Sequence, residues 1–194
     1  MNKAVFIDKD GTLIKDVPYN ADPHKVVLEP GAGVALAALQ AAGFMLIMVT
    51  NQSGVAHGYF QEEDLLPVFD RIQELLGEAG VQLDAVYYCP HHPAGKTERY
   101  RQSCICRKPR PGMLLHAARD HHLHLHQSWM IGDILHDMEA GNRVGCRTIL
   151  IDNGHETQWD FNAFNTPDFR VPSLTAAADT ILESAQNKAY GNFL

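Results

Sequence analysis

Continuous apolar runs alternate with segments of helical period along most of the chain. That is the signature of a parallel sheet buried on both faces by helices. Ala4-Val5-Phe6-Ile7 predicts a first strand, and the polar stretch after it holds a short extended piece at Val26-Val27-Leu28. Gly33 to Gln40, rich in alanine and leucine, predicts a helix that stops at Gly43, a good C-cap. Phe44 to Val49 predicts the second strand. From Glu62 to Glu78, Leu65, Phe69, Ile72, Leu75 and Leu76 form a helical stripe with Gly80 past its end. Pro67 falls inside it, so this helix starts late or kinks. Further strands are expected at Leu83–Tyr88, Ser128–Ile131 and Thr148–Ile151, with helices from Pro111 to His121 and Leu135 to Asn142. The tail adds a short strand at Phe169-Arg170-Val171 and a helix from Ser173 to Ser184. No repeat or linker interrupts the pattern. Residues 1–194 are therefore expected to form one α/β domain with a Rossmann-like parallel sheet and helices on both faces.

Composition narrows the function. The longest apolar runs, such as Phe44 to Val49, fall far short of the ~20 residues of a membrane span. Met1-Asn2-Lys3 leads straight into the first strand, so no secretory signal is expected and the protein should be cytoplasmic. The formal charge of −7, from 23 acids against 16 bases, argues against a nucleic-acid partner. It leaves room for a small phosphorylated substrate, because a few bases and a metal make one cleft locally positive. We expect a monomer.

Four cysteines stand at 89, 104, 106 and 146. Cys104 and Cys106 are too close in sequence to bridge comfortably, whereas Cys89 and His91 form a second short pair of soft ligands. The pattern is C-x-H, twelve residues, then C-x-C: three thiolates and an imidazole, a tetrahedral zinc set. With four protein ligands such a zinc has no open position for catalysis. It would staple the loop that runs on to Arg107 and Lys108. Thiols held by metal also suit a reducing compartment. Cys146 reads as a small core residue.

Three apolar strands each run into a polar residue: Asp8, Thr50 and Gly132-Asp133. In an open parallel sheet the carboxyl ends of the strands share one edge, where ligands bind. Lys108 completes a site of two strand-end carboxylates, a hydroxyl and an ammonium. While the chain stays extended, Asp8 and Asp10 point one way and Lys9 the other, and Gly11 then allows a sharp exit. Two ionised carboxylates about 4 Å apart repel by ~4 kcal/mol at an effective dielectric near 20, so the cluster needs a cation. Hard oxygen ligands beside a phosphate favour Mg²⁺. In such a site Asp8 can attack phosphorus while Lys108 and Thr50 hold the phosphoryl oxygens. Asp10 can protonate the leaving alkoxide and then activate water. Asp137, one helical turn after Asp133, either pairs with Lys108 or is a solvated helix acid.

Asp8-Lys9-Asp10-Gly11-Thr12, Thr50-Asn51, Lys108-Pro109 and Gly132-Asp133-x-x-x-Asp137 resemble the four ordered motifs of the haloacid dehalogenase superfamily of phosphatases. The intervals beside Thr50 are too short for a large cap domain. Within that superfamily the chain is most similar to the heptose 1,7-bisphosphate 7-phosphatases. That likeness rests on Thr50-Asn51-Gln52-Ser53-Gly54, Tyr87 to Pro93, Cys106-Arg107-Lys108-Pro109 and Pro111-Gly112-Met113-Leu114. The resemblance implies carbohydrate metabolism, including lipopolysaccharide biosynthesis. It implies Asp8 as nucleophile, Asp10 as acid/base, and Mg²⁺ on Asp8, the Asp10 carbonyl and Asp133. It makes Thr50 and Lys108 phosphate stabilisers and Arg107 a substrate-recognition residue, with Asp16, Tyr19, Asn51, Gln52 and Ser53 at substrate contacts. Its zinc ligands are Cys89, His91, Cys104 and Cys106, with His92 outside the shell. The chain departs from the pattern with Lys9 and His57 where arginine is usual, and with Ile134 where some members carry lysine.

Three rival readings remain. A histidinol-phosphate or other sugar-phosphate phosphatase shares the motifs, although the interval from His91 to Cys104 is closer to the heptose branch. A phospho-acceptor signalling module would carry its acceptor aspartate on a mid-chain strand, where this chain has Val49 and Thr50. A zinc-based nucleic-acid binder conflicts with the acidic charge. His122, His124 and His126 read as a solvated helix end, Trp129 as core, and Trp159, Phe161 and Phe164 as tail packing or an interface.

Overall fold

A computed structural model describes residues 2–191. The strands are β1 (Ala4–Ile7), β2 (Met45–Asn51), β3 (Ala85–Cys89), β4 (Trp129–Gly132), β5 (Arg147–Ile151) and β6 (Phe169–Val171). They form one parallel sheet in the order β3-β2-β1-β4-β5-β6. The chain winds outward from β1 to β3, then returns to the other side of β1 and winds outward again. The order therefore reverses beside β1, where the first and fourth strands meet and where ligands bind in open α/β sheets.

Alternation along β1 divides the core. Val5 and Ile7 face a layer built from α1 (Ala32–Ala41), α3 (Leu65–Gly77) and α6 (Leu174–Gly191), which contribute Leu36, Leu39, Ile72, Leu76 and Ile181. Ala4 and Phe6 face the opposite layer, where α4 (Gly112–Asp120) contributes Met113, Leu114 and Ala117 and α5 (Leu135–Asn142) contributes Ala140. Every residue of β1 is buried because both faces are covered, which is why the strand reads as an unbroken apolar run. Cys146 and Trp129 lie in these cores as expected.

Pro67 does not kink its helix. Glu62–Asp64 form a 3-10 turn, and α3 begins at Leu65. Pro67 thus lies in the first turn, where its missing N–H breaks no intrahelical bond. The Val26-Val27-Leu28 piece reduces to a single bridge between Ile14 and Leu28. A four-residue helix, α2 (Gly54–His57), escapes sequence reading because one turn is too short to show a period. Trp159, Phe161 and Phe164 remain partly exposed, with the guanidiniums of Arg170 and Arg143 lying over Trp159 and Phe164. Between β1 and α1 the chain holds only short turns and isolated bridges, and between β2 and α3 only α2 and a 3-10 turn, so neither stretch carries a large cap domain.

Candidate active site and metal centres

The strand ends converge. The Asp8 amide donates to the Ile131 carbonyl at 3.0 Å, which seats Asp8 between the ends of β1 and β4. One carboxylate oxygen each from Asp8, Asp133 and Asp137 lie within 4.8 Å of one another. Lys108 Nζ stands 2.5 Å from Asp8 Oδ1 and 2.6 Å from Asp137 Oδ1, and donates to the Val49 carbonyl at 3.0 Å. Asp137 is fully buried, so of its two readings the pairing with Lys108 is the one observed. Gly132 makes room for it: a Cβ there would come within 2.3 Å of the Asp137 side chain.

Lys108 is presented by Asn51 at the end of β2. Asn51 Nδ2 donates to the Lys108 carbonyl at 3.1 Å, and the Lys108 amide donates back to Asn51 Oδ1 at 3.0 Å. Both ends of the Asn51 amide are thus engaged on the backbone of Lys108. Gln52 Nε2 donates to Thr50 Oγ1 at 2.9 Å and to Asp10 Oδ2 at 3.2 Å, tying the strand-end hydroxyl to the second acid. Lys9 does not point away from Asp10. The chain leaves the strand at Asp8 and turns, with the Leu13 and Ile14 amides donating to the Lys9 carbonyl. That turn brings the buried Lys9 Nζ to 2.8 Å from Asp10 Oδ1.

Crowding shifts the protonation equilibria. Burial raises Asp10 above the usual carboxylate range, with Lys9 opposing it. Burial, reinforced by Asp8, pushes Asp133 up to about 6. Burial pushes Asp137 up to about 7 although Lys108 pulls the other way. Burial alone would depress Lys108, but Asp137 and then Asp8 more than offset it, so its ammonium stays charged. Three carboxylates against one ammonium leave a deficit of two positive charges, and all the ligand atoms are hard oxygens. This donor set fits a divalent cation such as Mg²⁺.

These groups line a cleft of about 270 Å³ shared by Asp8, Asp10, Asp16, Thr50, Asn51, Lys108, Asp133, Ile134 and His155. A neighbouring lobe of about 280 Å³ adds Tyr19, Gln52 and Ser53. Tyr19 adopts a left-handed backbone, φ 54°, unusual for a bulky residue. Arg107 is not among the residues lining either lobe; its guanidinium reaches the His91 carbonyl at 3.5 Å. His155 is the site residue that sequence reasoning missed. Its Nδ1 lies 2.6 Å from Asp133 Oδ2.

The second cluster gathers Cys89, His91, Cys104 and Cys106. Cys89 Sγ lies 3.4 Å from Cys104 Sγ and 3.0 Å from Cys106 Sγ, and the Cys104 and Cys106 sulfurs are 3.1 Å apart. His91 Nδ1 lies 3.7 Å from Cys89 Sγ and 3.4 Å from Cys106 Sγ. Zinc–sulfur bonds of about 2.3 Å in a tetrahedron give sulfur–sulfur edges of about 3.8 Å, so the sulfurs would spread apart by about 0.4–0.8 Å to take the metal. The hydrogen-bonding contact with Cys89 holds the Cys106 thiol down to about 5, while the same contact raises Cys89. A divalent metal that takes thiolate ligands would displace the thiol protons here.

Comparison with known proteins agrees with this geometry. The HAD-hydrolase-like family matches residues 105–177. The D-glycero-beta-D-manno-heptose-1,7-bisphosphate 7-phosphatase of Escherichia coli K12 is 44% identical over 183 residues, covering 93% of this chain and 88% of that protein. The Pasteurella multocida protein of the same name is 44% identical over 155 residues, 79% of this chain and 84% of its own length. Among solved structures, a putative HAD-like phosphatase from Mesorhizobium loti superposes with a TM-score of 0.80 at 36% identity, covering 93% of this chain and 87% of that one. The D,D-heptose 1,7-bisphosphate phosphatase of B. bronchiseptica, solved with magnesium and phosphate, gives 0.76 at 28% identity, covering 95% and 99%. With its motifs gathered at one sheet edge and its likeness running nearly end to end, the chain belongs to the heptose 1,7-bisphosphate 7-phosphatase family of the haloacid dehalogenase superfamily.

Proposed function

We propose that this protein hydrolyses the 7-phosphate of D-glycero-beta-D-manno-heptose 1,7-bisphosphate through an aspartyl phosphate on Asp8. The observation that carries this reading is the meeting of Asp8, Asp133 and Lys108 at the point where the strand order reverses. The relatives that share this framework bear that activity in their names.

Asp8 attacks phosphorus, and the bond to the C7 oxygen breaks as the new one forms. Asp10, raised by burial, gives its proton to the leaving alkoxide. It then takes a proton from the water that attacks the aspartyl phosphate, releasing inorganic phosphate and restoring Asp8. Lys108 and the Thr50 hydroxyl donate to the phosphoryl oxygens throughout, with Asn51 fixing the backbone of Lys108. Asp8, the Asp10 carbonyl and Asp133 would hold Mg²⁺, which supplies charge neutralisation at the phosphoryl oxygens. Asp16, Tyr19, Gln52, Ser53 and Arg107 receive the sugar and its second phosphate.

Zinc on Cys89, His91, Cys104 and Cys106 is structural and braces the loop that delivers Lys108. The protein acts as a single-domain monomer in the cytoplasm, on a small sugar phosphate and without a nucleic-acid or membrane partner. Its acidic charge and unpaired cysteines support this, and no helix among the described residues is long and apolar enough to cross a membrane. Steady-state kcat/KM with the beta and alpha heptose bisphosphates, heptose 7-phosphate and histidinol phosphate tests the assignment. The beta bisphosphate should lead by at least about tenfold, each such factor being ~1.4 kcal/mol of transition-state binding. A higher value for histidinol phosphate would overturn it.

A further inference from the structure

We infer that His155 is a positioning residue for Asp133, carried on a strap that docks across the proposed metal site after β5. The inference builds on the Mg²⁺-dependent reading above, and it comes from three contacts within four residues. Asn153 Nδ2 donates to the Gly11 carbonyl at 2.7 Å, so one end of the strap is tied to the loop that follows Asp8 and Asp10. His155 Nδ1 meets Asp133 Oδ2 at 2.6 Å, and Nδ1 must carry the proton for a carboxylate to accept it. Glu156 Oε2 accepts from the Leu135 amide at 2.7 Å, tying the other end to the start of α5, two residues beyond Asp133. The strap also braces itself, because Asn153 Oδ1 accepts from the His155 amide at 3.2 Å.

Gly11 shows that the approach is close. Its backbone has φ +76°, and a Cβ there would lie 2.2 Å from Asp133 Oδ2 and 2.4 Å from His155 Nδ1. Any side chain at position 11 would separate the imidazole from the carboxylate. Asp133 Oδ1 faces the Thr12 hydroxyl at 3.4 Å, so its two oxygens are held from opposite sides and its plane is set. A carboxylate whose orientation is fixed before the cation arrives loses less freedom on binding it, and outer partners of this kind are worth 10–100-fold in metal affinity.

Mg²⁺ binding to the whole protein, measured by calorimetry without substrate, tests the inference. His155→Ala should raise the Mg²⁺ Kd about tenfold while the melting temperature without Mg²⁺ stays unchanged. Asparagine can set its side-chain nitrogen where Nδ1 stands, whereas glutamine reaches one bond further, to the position of Nε2. His155→Asn should therefore restore affinity and His155→Gln should not. Asn153→Ala, which frees the strap from Gly11, should weaken Mg²⁺ in the same direction. Unchanged or tighter binding in His155→Ala, or equal rescue by asparagine and glutamine, overturns the positioning role alone. A parent protein that binds no Mg²⁺ overturns the metal-dependent reading and this inference with it.

Discussion

Withdrawing zinc from Cys89, His91, Cys104 and Cys106 should lower turnover while the sheet stays folded. The metal would close a loop in which Cys89 and Cys106 are 17 positions apart. Cross-linking a chain of that length removes about 3 kcal/mol of loop entropy from its open ensemble. Lys108 lies two residues beyond Cys106. Without zinc, its backbone is retained by the two hydrogen bonds to Asn51, worth about 1 kcal/mol each. A clamp of about 2 kcal/mol then works against a loop entropy of about 3 kcal/mol. Where the clamp holds, the deficit of about 1 kcal/mol corresponds to roughly a fivefold loss in kcat/KM; where it fails, the full term corresponds to roughly 100-fold. The assay is kcat/KM at saturating Mg²⁺ after treatment with a soft-ligand chelator, with Zn²⁺ restored as the control. Cys106→Ser provides an independent route to the same state. Far-UV circular dichroism should retain the sheet and helices, while hydrogen exchange accelerates between residues 90 and 108. A zinc-free protein that turns over at the full rate refutes the staple.

Asn51→Ala removes both hydrogen bonds that present Lys108, about 2 kcal/mol in total. It should lower kcat by roughly 10- to 30-fold and the melting temperature by about 4–8 °C, with the Lys108 ion pairs keeping the protein folded. Gly132→Ala puts a methyl 2.3 Å from the Asp137 side chain. It should lower stability by about 1–3 kcal/mol in denaturant titration and depress kcat by displacing the partner of Lys108.

The sheet was legible because β1, β2 and β4 are buried on both faces and must be apolar throughout, so each polar strand end stands out. Asp8, Thr50 and Asp133 could be brought together in advance only because parallel strands share one carboxyl edge. What stayed hidden depends on backbone that leaves a regular element. Lys9 was expected opposite Asp10, yet the chain turns at Asp8 and pairs the two. Asp137 had two readings because helical spacing cannot tell a solvated face from a socket cut by Gly132. His155 lies in an irregular segment without periodicity, 22 residues after Asp133, and nothing in its neighbours signals the contact. Only Asn153-Gly154, a turn dipeptide just past β5, could have hinted that the chain doubles back over the sheet edge there.

The most direct test of the account is acid quenching during turnover of the heptose bisphosphate, followed by peptide mass analysis. A phosphoryl group should appear on Asp8, transiently in the parent protein and not at all in Asp8→Asn, which should be folded and essentially inactive. Turnover that persists in Asp8→Asn, or a phosphoryl group found on another residue, would contradict it.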